Sequence, residues 1–442
     1  MRYRIGAWIG LALVLVAGPA AAQKRFILHA PAADVPGIAA RNGLTVVRPL
    51  DSHNHDIFLV TADAVAPDQL VERVKANEQE VVGLELDKDL IVPETSAGLR
   101  LNQSTAAVLD ALSVRGAVTF FGASVLSGYV NQPAATLIRV AEAQQLSTGA
   151  GTVAVIDTGV DPRHPALVSS LVLGYDFTRD LPGVASELAD LTQSTAAVLD
   201  QSTAAVLDKN LVALVNQSTA AVLDQSTAAV LDTSKLPAAF GHGTMVAGLV
   251  HRVAPTAKIM PLKAFKGDGT SSLFNILRAI YFAVDNGAKV INMSFSLAES
   301  SEELMRAINF ADSKKVISVA STGNNGREAL VYPAAFRNVI GVASTSNLDI
   351  RSSFTNYGGA LVCVAAPGEG VITTYPGNNY AGAWGTSFST PLVAGGAALF
   401  VQVDPQTNWD QAAGNFSRAA KIGQDLGAGR LDLYQAVQKA KK

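Results

Sequence analysis

The stretch KVINMSFSLAESSEELMRAINFADSKKVISVAST (289–322) contains the pattern that decides the fold. Its two ends, KVINMSF and VISVAST, have the length and the β-branched, apolar composition of buried strands. Between them, EELMRAINFADSKK spaces its apolar residues as an amphipathic helix does. Two buried strands joined by a helix form a βαβ unit. The stretch therefore predicts a parallel sheet flanked by helices.

The same alternation of strands and helices continues through residues 136–442 and predicts one α/β domain there. In an open parallel sheet, ligands bind beyond the carboxyl ends of the strands, so we expect the functional residues at that edge. The other strands are predicted at TVAVID (152–157), AKIMPLKAF (257–265), NVIGVAST (338–345) and ALVCVAA (360–366), with a further helix at SSLFNILRAIYFAVDNGA (271–288).

Residues 24–93 are predicted to form a small α+β domain of their own. Their order, β-α-β-α-β, suits an open sheet with helices on one face. Residues 94–135 have no clear hydrophobic period and are predicted to link the two domains. The predicted elements are strands at FILHA (26–30) and IFLVT (57–61), helices at VPGIAARNGL (35–44) and DQLVERVKAN (68–77), and one or two strands in VVGLELDKDLIV (81–92).

The N-terminal residues 1–22 have the pattern of a secretory signal peptide. Arg2 and Arg4 precede the apolar run IGAWIGLALVLVA, and three alanines then form a small-residue cleavage site before Gln23. A membrane anchor is the alternative interpretation. We expect a secreted protein, extracellular or periplasmic, with no membrane association after the signal is removed. Its one cysteine excludes an intramolecular disulfide, so a large packed core must stabilise it.

Composition narrows the class of protein. Charged residues make up 16% of the chain and apolar residues 49%, which excludes an intrinsically disordered protein. The formal net charge is −3, and no basic excess indicates a nucleic-acid partner.

The octapeptide QSTAAVLD occurs five times, once in the predicted linker and four times within an insertion at about 180–236. Eight residues advance a helix by about 80° beyond two turns, so the apolar stripe drifts around a continuous helix. In a strand, each face mixes polar and apolar groups. We predict short helical turns capped by Ser or Thr. Two interpretations remain open, a surface insertion without chemistry and a repeated binding surface. The copies lie at 103–110, 193–200, 201–208, 217–224 and 225–232.

Four short motifs stand where the alternation places strand ends or helix starts. Asp157 ends a strand before Thr-Gly, and Asn324 lies in GNNG just after another strand. His242 in GHGT and Ser387 in GTSFSTP each open an apolar helix. Alone, each motif is typical of a turn or a helix cap. Together they contain a hydroxyl nucleophile, a base, a carboxylate that orients the base, and an amide donor for an oxyanion.

This set of motifs resembles the subtilisin-like serine proteases, or subtilases, over roughly 136–442. The resemblance implies that Asp157 orients His242, that His242 is the general base and acid, and that Ser387 is the nucleophile. It also implies that Asn324 and the Ser387 N–H stabilise the oxyanion. The matching stretches are VAVIDTGVDPRHP, GHGTMVAG, INMSF, STGNNG, GTSFSTPLVAGGAAL, APGEGV and LGAGRLDLYQAV.

The resemblance also implies a substrate cleft. Gly269 and Thr270 would lie on the strand that pairs with extended substrate. The S1 pocket, which takes the side chain before the cut bond, would have two walls. They are Ser294, Phe295 and Ser296 on one side and Ser321, Thr322 and Gly323 on the other. Ser296 stands where the family often carries glycine, so we expect a narrower or more polar pocket.

Residues 24–93 resemble the inhibitory propeptide of these proteases, an inhibitor-I9-like, ferredoxin-like domain that assists folding and then blocks the cleft. The cut that removes this domain would fall within 94–135.

Two departures from the family pattern stand out. The interval from Asp157 to His242 is 85 residues, and the insertion should project near the cleft rim. The asparagine-rich calcium loop is missing after His242. We therefore expect no required cofactor, no metal at the catalytic site and no strong family calcium site, with weaker calcium binding left open.

The sequence thus predicts a secreted, self-processing serine endopeptidase, monomeric, with protein and peptide substrates and its own propeptide as intramolecular inhibitor. The alternative is a secreted binding or adhesion protein that displays the octapeptide repeats on a subtilase scaffold.

Overall fold

The structure is a computed structural model that describes residues 23–51, 55–63, 66–92, 116–192, 212–214, 236–423 and 425–442. The predicted signal peptide and all five copies of the octapeptide lie outside these residues. The chain divides into two compact units, residues 1–86 and residues 87–442.

Unit 1 has a βαββαβ order with an antiparallel sheet, the ferredoxin-like arrangement. The sheet order is β2-β3-β1-β4, and each neighbouring pair is antiparallel. The two helices cover one apolar core that includes Phe26, Val60 and Val74. The elements are β1 (Lys24–His29), α1 (Val35–Asn42), β2 (Thr45–Pro49), β3 (Ile57–Ala62), α2 (Pro67–Asn77) and β4 (Gly83–Leu86).

Strand β2 was not predicted from the sequence. It is an edge strand with mostly exposed residues, so it lacks the alternation that marks a half-buried strand. It also ends in Pro49, a residue that sheets tolerate only at edges and strand ends.

Unit 2 contains the longer series of alternating strands and helices. In chain order its elements are β5 (Asp89–Ile91), β6 (Ala117–Phe120), β7 (Ala123–Leu126), α3 (Ser127–Val130), α4 (Pro133–Leu137), α5 (Val140–Gln144), β8 (Thr152–Asp157), β9 (Gly174–Asp176), β10 (Leu181–Gly183), β11 (Val212–Leu214), α6 (His242–Val253), β12 (Lys258–Lys263), β13 (Thr270–Ser272), α7 (Leu273–Asp285), β14 (Val290–Met293), α8 (Glu302–Ser313), β15 (Ile317–Ser321), β16 (Val339–Thr345), β17 (Val364–Pro367), β18 (Glu369–Tyr375), β19 (Asn379–Trp384), α9 (Thr386–Val403), α10 (Trp409–Phe416) and α11 (Leu433–Ala440).

The central sheet of unit 2 confirms the predicted α/β fold. Its order is β10-β9-β12-β8-β14-β15-β16-β17, and every pair is parallel except the β9–β10 hairpin at one edge. The inner strands are buried on both faces, which explains why they read as continuous apolar runs. A smaller sheet has the order β11-β19-β18.

Helix α9 runs through the core of unit 2. Within the described residues it is the one helix long and apolar enough to cross a membrane, but 89% of that stretch is buried inside the protein. It packs closely on α6. A Cβ atom built on Gly395 would lie 2.7 Å from the Cβ of Val253. The apolar composition of α9 is therefore explained by packing between α6 and the sheet.

The predicted linker over 94–135 is partly wrong, because residues 116–135 are folded and belong to unit 2. They form the β6–β7 hairpin and the short helices α3 and α4. Tyr129 is fully buried, and its hydroxyl donates to the Gly248 carbonyl of α6 at 2.7 Å. Four-residue strands joined by a tight turn are too short to show a period in the sequence.

We expect Gly395→Ala to lower the free energy of unfolding by about 1–3 kcal/mol, because the added methyl overpacks the α9–α6 contact. Urea unfolding in a Ser387→Ala background, which removes the predicted nucleophile, measures the change. Gly414→Ala is the matched control. It also lies inside a helix, but its nearest neighbour would be Lys439 Nζ at 3.7 Å. Because alanine favours helices over glycine, this control should be neutral or stabilising by up to about 1 kcal/mol. Equal effects of the two substitutions would contradict the packing argument.

Candidate active site

Asp157 ends β8, an inner strand that lies between β12 and β14 at the carboxyl edge of the sheet. Its carboxylate is buried, and Oδ1 accepts the backbone N–H of Thr158 at 2.7 Å. The same oxygen lies 2.6 Å from Nδ1 of His242. A buried carboxylate in this position selects the imidazole tautomer with its proton on Nδ1.

His242 is the first residue of α6, and the glycines on both sides explain how it reaches Asp157. Gly241 has a φ of +92°, and a Cβ there would lie 2.3 Å from the ring of Tyr375. A Cβ on Gly243 would lie 2.0 Å from the Gly159 carbonyl oxygen. The GHGT motif therefore lets the start of α6 approach the end of β8 at backbone contact distance.

Ser387 lies in the first turn of α9, which begins after Gly385. Gly385 has φ +142° and ψ +157°, a region that only glycine readily adopts. The Ser387 hydroxyl donates to the Ser294 carbonyl at 3.1 Å, and the Ser294 hydroxyl donates to the Ser387 carbonyl at 2.9 Å. The ring centroids of Phe388 and His242 are 5.4 Å apart. The start of α9 therefore lies beside His242 and the end of β14.

Asn324 follows β15 and contacts the same helix start. Its side-chain Oδ1 accepts the Thr386 backbone N–H at 3.0 Å and the Thr386 hydroxyl at 2.8 Å. These two bonds fix the orientation of the side-chain amide next to Ser387. The structure thus brings Asp157 and His242 into contact, and it places Ser387 in a helix start to which the Asn324 side chain is hydrogen-bonded. Their catalytic roles stay predictions.

Gly269 and Thr270 lie where an extended segment of this chain pairs with β13. Strand β5 runs antiparallel to β13, and Thr270 is opposite Ile91. Val92 N–H donates to the Gly269 carbonyl at 3.1 Å. Along the segment, Leu90 and Val92 are buried while Ile91 is exposed. The segment therefore has the backbone pairing and alternating side chains of a peptide bound in extended form.

The start of this segment is held at α7. The Asp87 carboxylate accepts the Phe274 N–H at 2.8 Å, and the Lys88 carbonyl accepts the Leu273 N–H at 2.8 Å. Lys88 also forms an ion pair with Glu299 at 2.8 Å. Residues 87–92 thus belong to unit 2, although the sequence assigns them to the first predicted domain.

The two predicted S1 walls face each other at the ends of β14 and β15. The Ser321 hydroxyl donates to the Phe295 carbonyl at 3.3 Å, and a Cβ on Gly323 would lie 3.3 Å from Ser296 Oγ. Two of the predicted wall side chains are engaged elsewhere. Phe295 is fully buried against Phe265, with ring centroids 5.3 Å apart. The Thr322 hydroxyl donates to the Val342 carbonyl at 3.1 Å.

Glu187 lies next to the site, and the sequence did not identify it as a functional residue. It lies in a 3₁₀ helix, Glu187–Asp190, inside the insertion predicted to begin near residue 180. Its buried carboxylate contacts the residues that follow both Asp157 and His242. Burial is the main cause that raises the pKa of Glu187 to about 7. In the sequence, only a Ser cap before an acidic turn marks this position, and many surface loops share that signal.

The described flanks of the insertion converge near β13. A Cβ on Gly267 would lie 3.0 Å from the Cβ of Asp190 and 3.3 Å from the Cβ of Pro237. The Ala239 N–H also donates to the Gly267 carbonyl at 2.8 Å. The two ends of the insertion therefore lie close to β13, the strand that pairs with Asp89–Ile91, and β11 within the insertion pairs with β19.

Comparisons with known proteins identify the class. Thermitase from Thermoactinomyces vulgaris is 32% identical over 314 residues, which cover 68% of this chain and 94% of thermitase. Subtilisin BL from Lederbergia lenta is 40% identical over 174 residues, which cover 37% of this chain and 64% of subtilisin BL. These similarities and the fold define a serine-type endopeptidase. The Peptidase S8 model of the subtilase family matches residues 149–434, and the chain belongs to that family.

A solved structure has a similar fold. Fervidolysin from Fervidobacterium pennivorans, described as a keratinolytic enzyme related to subtilisin, superposes with a TM-score of 0.67 at 21% identity. The match covers 94% of this chain and 61% of the fervidolysin chain.

The raised pKa of Glu187 predicts a specific pH dependence of stability. Its folded pKa, about 7, is above its ordinary value of 4.5, so between these values the folded protein binds more protons. This contribution to stability is complete below pH 4.5 and is lost as pH rises through 7, by up to about 3 kcal/mol. Urea unfolding from pH 4.5 to 7.5 in a Ser387→Ala background should show a decline that Glu187→Gln removes. The same pH slope in both proteins would contradict the prediction.

Proposed function

We propose that Asp157, His242 and Ser387 form the catalytic triad of peptide-bond hydrolysis by this chain. The observation that carries the proposal is the contact of 2.6 Å between Asp157 Oδ1 and His242 Nδ1, both buried, next to the helix start that bears Ser387. Without its carboxylate partner, the imidazole would lack both a fixed tautomer and a counter-charge.

The chemistry follows from these positions. His242 takes the proton of the Ser387 hydroxyl through Nε2, and the serine oxygen attacks the substrate carbonyl. Asp157 stabilises the imidazolium that forms. His242 then donates the proton to the leaving amine, and an acyl group remains on Ser387. A water molecule, deprotonated by His242, attacks the acyl group and releases the second product.

The oxyanion that forms at each attack needs donors that are already oriented. The Ser387 N–H lies in the first turn of α9, where the helix dipole favours negative charge. The Asn324 side chain is held by two bonds to Thr386, so its amide requires little reorientation when charge develops. Preorganised donors of this kind contribute about 2.7–4 kcal/mol each to transition-state stabilisation.

We further propose that substrate binds as an extended strand along β13. The pairing of residues 89–91 with β13 supports this role, because it is the hydrogen-bonding pattern that a bound peptide would adopt. In the precursor, residues 24–92 would then act as an inhibitory propeptide whose last residues occupy the cleft. The processing cut would fall after Val92 and before the folded hairpin that begins at Ala117.

Secretion is proposed from the signal-peptide pattern of residues 1–22. The insertion is proposed to border the cleft, because its described flanks lie against Gly267. The alternative role, a binding protein that displays the repeats, stays a prediction because the repeats lie outside the described residues.

Processing of the precursor tests the nucleophile. We expect wild-type precursor to lose its N-terminal segment by a cut within residues 93–116, and Ser387→Ala to stay full length, because the variant lacks the attacking oxygen. Intact mass and N-terminal sequencing measure this. Ser389→Ala, two residues along the same helix, is the control and should process like wild type. Processing of purified Ser387→Ala at the wild-type rate would disprove self-cleavage at this serine.

The cleft assignment predicts inhibition by a short peptide. A synthetic peptide of residues 87–92, DKDLIV, should inhibit the processed enzyme competitively, because it can pair with β13 and bury Leu90 and Val92. A control peptide with aspartate at those two positions should inhibit at least about tenfold more weakly, since buried carboxylates lose hydration. Steady-state kinetics with a chromogenic peptide measures both inhibition constants. Equal inhibition by the two peptides would contradict the assignment.

A further inference from the structure

The carboxylate of Glu187 is surrounded by hydrogen-bond donors from the two motifs that carry Asp157 and His242. From the Asp157 side, the Thr158 hydroxyl donates at 2.5 Å. From the first turn of α6, the Gly243 N–H donates at 2.8 Å, the Thr244 N–H at 3.3 Å and the Thr244 hydroxyl at 2.7 Å. One buried carboxylate therefore joins the end of β8 to the start of α6.

The backbone around Glu187 is fixed independently of its side chain. The Val160 N–H donates to the Ala185 carbonyl at 2.9 Å, and the Glu187 N–H donates to the Val160 carbonyl at 3.2 Å. A Cβ on Gly159 would lie 2.9 Å from the Ala185 carbonyl oxygen. Close backbone packing on both sides leaves the carboxylate little freedom to move.

The charged and titratable groups around Glu187 come from several elements. Asp157 of β8 opposes its negative charge, and Lys263 of β12 favours it. Burial raises the pKa of the Tyr375 hydroxyl on β18, and the nearby Glu187 carboxylate raises it further. His242 is the neighbour of Gly243 on α6. Lys263 is itself fully buried and donates to the Thr158 carbonyl at 2.7 Å and to Asp190 at 2.6 Å.

We propose that Glu187 is a positioning residue for the hydrolysis, whose carboxylate holds the first turn of α6 against the end of β8 and so maintains the Asp157–His242 contact. The inference rests on the proposed catalytic roles of Asp157, His242 and Ser387. Glu187 contacts the neighbours of the triad residues, so it acts through them.

The ionised form is the one that fits this role. Three residues donate four hydrogen bonds to it, and an ionised carboxylate accepts all four. A proton on Glu187 replaces one acceptor site with a donor, so a neighbouring hydroxyl must reverse its hydrogen bond or that bond is lost. Burial raises the pKa of Glu187 to about 7, so this change falls in the pH range where an ordinary histidine also titrates. We therefore expect protonation of Glu187 to reduce activity on the acid side.

The test compares processed wild-type enzyme with Glu187→Gln and with Glu303→Gln. Glu303 is the matched control because it is equally buried at the start of a helix, α8, where it pairs with Arg306. A fluorophosphonate labels the active serine, and a chromogenic peptide gives kcat and KM separately. We expect Glu187→Gln to lower the labelling rate and kcat by about tenfold or more at pH 8 with little change in KM, because a small displacement of the base slows proton transfer.

The pH profile distinguishes positioning from general stability. On the acid side, the logarithm of kcat/KM should rise more steeply with pH in wild type than in Glu187→Gln, which lacks the titrating carboxylate. Glu303→Gln should keep the wild-type rate and slope. If Glu187→Gln does not fold, Thr244→Val removes one donor to the same carboxylate and should lower kcat by at least about threefold.

The outcomes separate this inference from the proposed function. A wild-type enzyme that the fluorophosphonate does not label would overturn both. A labelled wild type with a Glu187→Gln variant of equal rate and equal acid-side slope would overturn only the role of Glu187. In the Thr244→Val experiment, an unchanged kcat would likewise overturn only the role of Glu187.

Discussion

The active site of this protein depends on one close backbone contact, between the end of β8 and the first turn of α6. Gly243 makes the contact possible, because a Cβ there would overlap the Gly159 carbonyl. At that separation the carboxylate of Asp157 reaches Nδ1 of His242 at 2.6 Å inside the protein. Packing of α6 against α9 extends the same constraint to Ser387 at the start of α9.

The contact also brings several charged side chains together in the interior. Asp157, Glu187 and Lys263 are all nearly inaccessible to water, and a buried charge is tolerated only when it is paired and hydrogen-bonded. Here the Lys263 ammonium binds Asp190 and two carbonyls, and Glu187 accepts from four donors. The segment before the repeats thus completes the hydrogen bonding behind Asp157 and His242, and it is more than the start of a surface insertion.

Much of the fold was predictable, because its inner strands are buried on both faces and α7 and α8 space their apolar residues as helices do. β8, β12, β14, α7, α8, β15 and β16 all lie within the predicted stretches. The failures have a common cause. The edge strand β2, the β6–β7 hairpin and the 3₁₀ helix at Glu187 are each too short for a local hydrophobic period to mark them.

The sequence by itself determined the class of fold and the identity of the four motif residues, because glycines, short polar residues and apolar runs at those spacings satisfy local backbone requirements. Only the tertiary structure decided which groups meet. Asp157 and His242 are 85 residues apart, and Glu187 lies between them in a segment with no periodic signal. Their contacts arise from the order of strands in the sheet and from the packing of α6 on it, which no local spacing of residues can specify.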